Sequence, residues 1–321
     1  MIVSRHAPVT LEDAEAARQR LHGVVRRTPL LPLQVDGLRL HVKLETLQPI
    51  GSFKIRGAAN KLLQVPREHL ESGVWTASAG NMAQGVAWCA RRLGIPSTVV
   101  VPEGASEAKL ASIRRLGARI ETVSRDEFYE TFATRDRPGI PGLFVHAFSD
   151  PDVMAGNSTI GLEILEDLPD LRAVYIPYGG GGLSCGVASV VRALAPGVRV
   201  VACEPETAAP LAASLHGRSP QHTAFTPSFV DGAGAPRLYP EMFALACELL
   251  DEAVAVPLAD VADAIRVMAE QCRVVVEGAG ALAVAAALRH PGDEPVACVV
   301  SGGNINRAWL AAILAGDIPA V

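Results

Sequence analysis

From Val74 onward, short apolar runs alternate with segments of helical periodicity, and this alternation restricts the possible folds more than any other feature. The runs Val99 to Val101, Arg119 to Val123, Ala173 to Tyr178, Val198 to Cys203 and Val296 to Val300 read as strands. Segments 81–93, 106–116, 183–195, 259–273 and 304–315 read as helices. Strands separated by helices predict a mostly parallel, doubly wound α/β architecture of open sheets. Upstream, Leu38 to Glu45 alternates strictly between apolar and polar residues, as a half-buried strand does. Thr10 with Asp13 three residues later predicts a capped helix carrying Leu11, Ala14, Ala17 and Leu21 on one side. Arg91-Arg92-Leu93-Gly94 and Arg114-Arg115-Leu116-Gly117 each close a helix before a strand. Their arginines suit the negative end of the helix dipole and their glycines a left-handed C-terminal position, so the pair marks two successive βα units. The Pro- and Gly-rich stretch Arg135 to Gly142 is where that subdomain is expected to end.

Composition removes several function classes. The net charge is −5 and no long basic run exists, which argues against a nucleic-acid partner. The six cysteines are scattered without a C-x-x-C pair, so they read as reduced thiols of a cytoplasmic protein rather than a disulfide frame or zinc site. Met1 to Pro8 lacks the apolar core of a signal peptide, and the longest apolar stretch, Ala281 to Leu288, is too short to span a bilayer. No membrane partner is expected.

Four segments carry candidate chemistry. Gly179-Gly180-Gly181-Gly182-Leu183 lies between an apolar strand and an apolar helix. Glycines let backbone N–H groups approach an anion, and the following helix start adds a favourable dipole. No lysine followed by Ser or Thr makes it a P-loop, Ser184 breaks the G-x-G-x-x-G spacing, and a plain glycine-rich turn remains open. In Gly51-Ser52-Phe53-Lys54-Ile55-Arg56 the lysine sits between apolar neighbours, where desolvation would lower its pKa. Taken alone, Lys54 reads more readily as a solvated lysine with a packed stem. Ser78-Ala79-Gly80-Asn81 suits a carboxylate at a helix start, or is an ordinary helix cap. Ser301-Gly302-Gly303-Asn304 puts a hydroxyl at a strand end, and by itself is a turn.

Together these segments have the order and spacing of the serine/threonine dehydratase (threonine ammonia-lyase) family, the tryptophan-synthase-β-like, fold type II group of pyridoxal-phosphate enzymes. The resemblance runs from Arg27-Thr28-Pro29-Leu30 to Asn304 and takes in Asp150 to Gly156, Cys203-Glu204-Pro205-Glu206 and Val276 to Ala281. It implies that Lys54 holds pyridoxal phosphate (PLP) as a Schiff base and that Phe53 seats the ring. It assigns the phosphate to Gly179, Gly180, Gly181, Gly182 and Leu183, the phenolic oxygen to Asn81 and the pyridine nitrogen to Ser301. The substrate carboxylate falls to Ser78, Ala79, Gly80, Asn81 and Met82. A neutral hydroxyl at the ring nitrogen weakens the electron sink and favours β-elimination. The implied reaction removes water and then ammonia from L-threonine or L-serine, giving a 2-oxo acid. The resemblance further implies a homodimer and two domains, a large one of residues 1–50 and 150–321 and a small mobile one of 51–149.

This chain departs from the pattern in places. Met82 stands where many relatives have histidine. Ala79 replaces the second serine of serine racemases, which disfavours racemisation. Pro210 occupies the position of an aspartate that, with the residue matching Glu204, binds a divalent cation in racemases, so no metal is expected. The loop around Asp231-Gly232 is atypical. These departures keep open a dehydratase of another β-hydroxy amino acid, of hydroxyaspartate or phenylserine type; a racemase and a non-catalytic PLP or amino-acid binder rank behind it. The chain stops soon after Ser301, so isoleucine inhibition through a regulatory domain is not expected.

Overall fold

The computed structural model describes residues 6–320 except 236, 291 and 293, so the part of the N-terminal reading that rests on residues 1–5 lies outside it. The first half carries α1 (Leu11–Leu21), β1 (Leu30–Val35), β2 (Leu38–Leu44), α2 (Lys54–Leu63), β3 (Val74–Ala77), α3 (Asn81–Leu93), β4 (Ser97–Pro102), α4 (Glu107–Arg115), β5 (Arg119–Val123), α5 (Arg125–Thr134) and β6 (Leu143–Phe144). The second carries α6 (Pro151–Asp167), β7 (Ala173–Pro177), α7 (Ser184–Leu194), β8 (Arg199–Pro205), α8 (Pro210–Gly217), α9 (Pro240–Leu249), β9 (Glu252–Val256), α10 (Leu258–Val267), α11 (Gly278–Arg289), β10 (Val296–Val300) and α12 (Arg307–Leu314). The helix expected over 259–273 divides into α10 and a π-helical turn, Met268–Cys272.

Two sheets result. A six-stranded sheet runs β1-β2-β10-β7-β8-β9, antiparallel only between β1 and β2, and a four-stranded parallel sheet runs β5-β4-β3-β6. The large sheet is apolar on both faces. Val174, Ile176, Val200, Ala202, Ala297 and Val299 pack toward α1, α6, α7 and α9, and the intervening Tyr175, Val201, Cys203 and Cys298 pack toward α10, α11 and α12. That period of two, with helices over both faces, explains why these strands read as continuous apolar runs.

Local signals hold where they were strongest. Thr10 and Asp13 form the reciprocal capping box of α1, with Ala14, Ala17 and Leu21 buried. Gly94 and Gly117 both have positive φ, 64° and 89°. Two expectations need correction. The loop Arg135 to Gly142 does not end the small sheet, because β6 follows it and pairs with β3. Lys43 is not on a solvated face, because β2 lies inside the sheet between β1 and β10 and its side chain is 0 % exposed.

Lys43 instead joins a buried ionic cluster that fixes α2. The Arg56 guanidinium donates to Glu45 at 2.8 Å through both Nε and Nη2, and to Glu163 at 2.7 and 2.9 Å. It reaches Thr159 Oγ1 and the Arg26 carbonyl as well. Lys43 pairs with Glu163 at 2.6 Å and donates to the Thr28 carbonyl, and Thr28 donates to Glu45. Two cations face two carboxylates, so the cluster is neutral and nearly every donor has an acceptor. Burial disfavours the Arg56 charge, yet Glu45 and Glu163 outweigh it and raise the guanidinium pKa; Arg56 and Lys43 in turn hold Glu163 below the usual carboxylate range. Removing one member of such a cluster leaves its partners charged, buried and unpaired. Arg56→Ala is therefore expected to cost about 3–5 kcal/mol in denaturant-induced unfolding. Arg56→Lys should recover only part of this, because one ammonium cannot serve two carboxylates bidentately. A loss below about 1 kcal/mol would show that the cluster is not a structural anchor.

Candidate active site

The segments singled out in the sequence converge at the C-terminal ends of parallel strands. Ser78 to Asn81 follow β3, the four glycines follow β7, and Ser301 follows β10. In open α/β sheets this is the edge where ligands bind. Lys54 is brought there by backbone pairing. Phe53 N–H donates to the Ser301 carbonyl at 3.0 Å, and Ser52 bridges to Gly302, so α2 starts directly beside the end of β10. The Phe53 ring is 8 % exposed and lies 5.1 Å from Lys54 Nζ, which donates to the Ala147 carbonyl at 2.7 Å. Burial pushes the Lys54 pKa down to about 8, against an opposing pull from Glu277. An amine in that range is neutral and nucleophilic in a useful fraction of molecules near neutral pH.

The glycine loop is required by packing. A Cβ on Gly180 would stand 2.2 Å from the Phe148 ring, one on Gly182 would stand 2.6 Å from the Phe148 carbonyl oxygen, and Gly181 has φ +90°. Leu183 precedes α7 without a side-chain cap, so the first-turn N–H groups of α7 receive no side-chain acceptor from that position. Ser184 is turned away, donating to the Pro177 carbonyl at 2.9 Å. Asn157 donates to the Gly182 carbonyl at 3.2 Å, while its own Oδ1 is buried without a partner. The loop is thus held from behind, with backbone donors left over.

Asn81 opens α3 and sits in a chain of side-chain hydrogen bonds. Its Nδ2 donates to Glu277 Oε1 at 2.7 Å, and its Oδ1 accepts from Asn304 Nδ2 at 2.7 Å. Asn304 is tied to the Ile50 carbonyl at 2.9 Å. Glu277 and Asn304 lie in sequence motifs that by themselves give them no role. The one signal for Glu277 is a lone carboxylate between apolar Val276 and the small residues that open α11. Gly302 admits it, because a Cβ there would lie 2.4 Å from Glu277 Oε1. Burial, helped by the nearby Asp231, pushes the Glu277 pKa up to about 7. Ser78 Oγ accepts from Gly80 N–H at 3.2 Å, and Ser301 is buried at 3 % exposure.

Met82 departs from its expected place. Its side chain is 1 % exposed and packs among Ile55, Ala58, Leu62 and Val86. It shapes the small apolar cluster behind the site, and only its backbone belongs to the helix start.

Lys54, Ala79, Gly179 and Gly180 line one cavity of about 630 Å³. Across it Lys109 of α4 forms an ion pair with Asp231. A second cavity, about 660 Å³ and walled by Leu33, His41, Leu168 and Pro295, contains none of the expected site residues. Glu204 caps a helix, accepting the N–H groups of Leu211 and Ala212 at 3.1 and 2.8 Å. Among the described residues no cluster of three metal-ligating side chains occurs, and no helix is long and apolar enough to cross a membrane.

Known proteins resemble this chain over most of its length. Residues 21–302 match the family model described as pyridoxal-phosphate dependent enzyme. The L-threonine ammonia-lyase of Thermotoga maritima is 43% identical over 306 residues, covering 93% of this chain and 76% of that protein. The L-threonine ammonia-lyase of Geobacter sulfurreducens is 39% identical over 316 residues, covering 96% and 78%. Among solved structures, maize serine racemase superposes with a TM-score of 0.88 at 30% identity, covering 95% of this chain and 96% of that one. The threonine deaminase of T.th. does so with a TM-score of 0.85 at 35% identity, covering 92% and 99%. Since the matched segment contains Lys54, Asn81, the glycine loop and Ser301, the chain belongs to the pyridoxal-phosphate-dependent enzyme family.

Proposed function

We propose that this chain is an ammonia-lyase that converts L-threonine and L-serine to their 2-oxo acids. The observation that carries the reading is Lys54, an amine of lowered pKa in the same cavity as the glycine loop and Ala79. Its residues fit pyridoxal phosphate. The Gly179 to Gly182 loop and the uncapped start of α7 offer backbone donors for a phosphate, and Lys54 offers a neutral amine. Asn81 and Ser301 offer polar groups at the intervening strand ends. When bound, pyridoxal phosphate supplies the electron sink that makes the substrate α-proton acidic.

The chain's own residues supply the rest. Lys54 Nζ accepts the α-proton, a role suited to a pKa near 8. Ser78 to Gly80 and the first-turn N–H groups of α3 bind the substrate carboxylate, so the α-carbon faces the lysine. Glu277 and Asn304 hold the Asn81 amide in one orientation, with its oxygen toward Asn304 and its nitrogen toward Glu277. The α-proton and the departing β-hydroxide together make one water; the freed enamine becomes an imine and hydrolyses to the 2-oxo acid and ammonia. Ala79 lines the cavity without an ionisable group, which favours elimination over racemisation through that position. We further assign residues 51–149 to a small domain closing on the remainder, and place the enzyme in the cytoplasm as a homodimer.

Lys54→Ala should abolish ammonia and 2-oxo acid release from L-threonine and L-serine, by at least about 10³-fold in kcat. A wild-type protein that binds pyridoxal phosphate yet releases no ammonia from either amino acid would overturn the proposal. A second expectation concerns Glu277. Its pKa rises on folding from 4.5 to about 7, so the stability it contributes is present below pH 4.5 and lost as pH rises through 7. In the cofactor-free protein, Glu277→Gln should therefore gain stability relative to wild type between pH 5 and 8, by roughly 1–3 kcal/mol. Denaturant unfolding at the two pH values checks this; an equal difference at both would show that the carboxyl titrates normally.

A further inference from the structure

The β-substituent of threonine is a single methyl group, yet the cavity around Lys54 is broad and walled by rings. Four of the eight phenylalanines, Phe128, Phe132, Phe148 and Phe225, line it together with Tyr129 and Tyr239. Four of these rings form a continuous row. Phe128 meets Phe132 edge-on at 5.2 Å, Phe132 stacks on Phe148 at 5.9 Å and 18°, and Phe148 meets Tyr239 at 5.0 Å. The row runs from α5 of the small sheet, past the glycine loop that Phe148 covers, to the residue that precedes α9. None of the four is fully buried, so each keeps a face toward the space they enclose. The Arg237 guanidinium adds a cation 5.9 Å from the Tyr129 ring and 6.0 Å from the Tyr239 ring.

The rings pack on one side and line the cavity on the other. Phe128 and Phe132 cover the small sheet beside Trp75 and Val123, Phe148 and Tyr239 pack against the large core, and all four line the cavity. A ring placed against such a row gains edge-to-face or offset contacts at the 4.5–7 Å separations that aromatic pairs prefer, and an aliphatic chain does not.

We propose that this wall is the specificity pocket for a flat aromatic β-substituent, so that a β-hydroxy-α-amino acid of the 3-phenylserine class is turned over in preference to threonine. The inference rests on the ammonia-lyase reading above. Bonds made and broken are unchanged: the α C–H and β C–O bonds break, the α-proton taken by Lys54 and the departing hydroxide together make one water, and hydrolysis of the resulting imine yields an aryl 2-oxo acid and ammonia.

The test compares ammonia release by the holoenzyme from L-threo-3-phenylserine and from L-threonine, and adds a binding readout without turnover. L-Phenylalanine and L-alanine, which have no β-hydroxyl to lose, are compared by the rise in holoenzyme melting temperature that each produces. The expected results are a kcat/KM at least about tenfold higher for phenylserine and a larger thermal shift with L-phenylalanine than with L-alanine. Phe128→Leu and Tyr239→Leu, which keep apolar volume but remove a ring, should each lower the phenylserine-to-threonine ratio several-fold. Preference for threonine, equal thermal shifts, or a ratio unmoved in both variants would overturn the aromatic pocket and leave the ammonia-lyase reading standing. Ammonia from neither substrate would overturn both.

Discussion

Lys54 is only as well placed as the helix that starts with it, and that helix is held by a charge taken out of water. Arg56, two residues after Lys54, is 1 % exposed and binds Glu45 next to β2 and Glu163 on α6 at once. A guanidinium can do this because its planar fork presents parallel donors to two carboxylates. The cluster is close to an all-or-none arrangement, since each member becomes a buried unpaired charge when another is lost. It therefore fixes α2 in position and rotation more sharply than apolar packing alone would. The bridge from Ser52 to Gly302 then aligns the first residue of the helix with the end of β10.

Around that anchor the site is built largely from residues that withhold side chains. Gly180 and Gly182 leave room for Phe148, and Gly302 leaves room for Glu277. Close approach of backbone to ring or carboxylate converts four distant chain segments into one surface. The polar groups left facing it are few and are oriented by one another, as Asn81 is by Glu277 and Asn304. Such mutual orientation keeps a binding group in place before any ligand arrives.

Much of this was legible in the sequence, and for identifiable reasons. Strands buried on both faces announce themselves as apolar runs, and β10 has the bounds read for it, as does the largely exposed edge strand β5; α3 likewise spans 81–93 as read from its periodicity and terminal glycine. Lys54, the segment ending at Asn81 and Ser301 read singly as a solvated lysine, a helix cap and a turn, and only their order and spacing with the glycine loop, through the family resemblance, give them roles. Other features were hidden by their length or by distance along the chain. β6 has two residues, too few for any period. Lys43 obeys an alternation that normally marks a solvated face, and only its pairing with Glu163, far along the chain, makes its burial tolerable. Glu277 meets Asn81 across a sequence separation of 196, which no local pattern encodes. Met82 reads as a site residue by its position after Asn81, but the helix turns its side chain into the apolar cluster behind.

Phe148 belongs to two structures at once. Its ring stacks in the aromatic row, and the same ring and its backbone press against Gly180 and Gly182. A ligand that shifts this ring from one side changes the surface met by a ligand on the other. Binding free energies coupled in this way are reciprocal: whatever one occupant does to the affinity of the second, the second does equally to the first. Were an anion held at the glycine loop and a side chain at the row, this phenylalanine would make the two fits readings of one equilibrium.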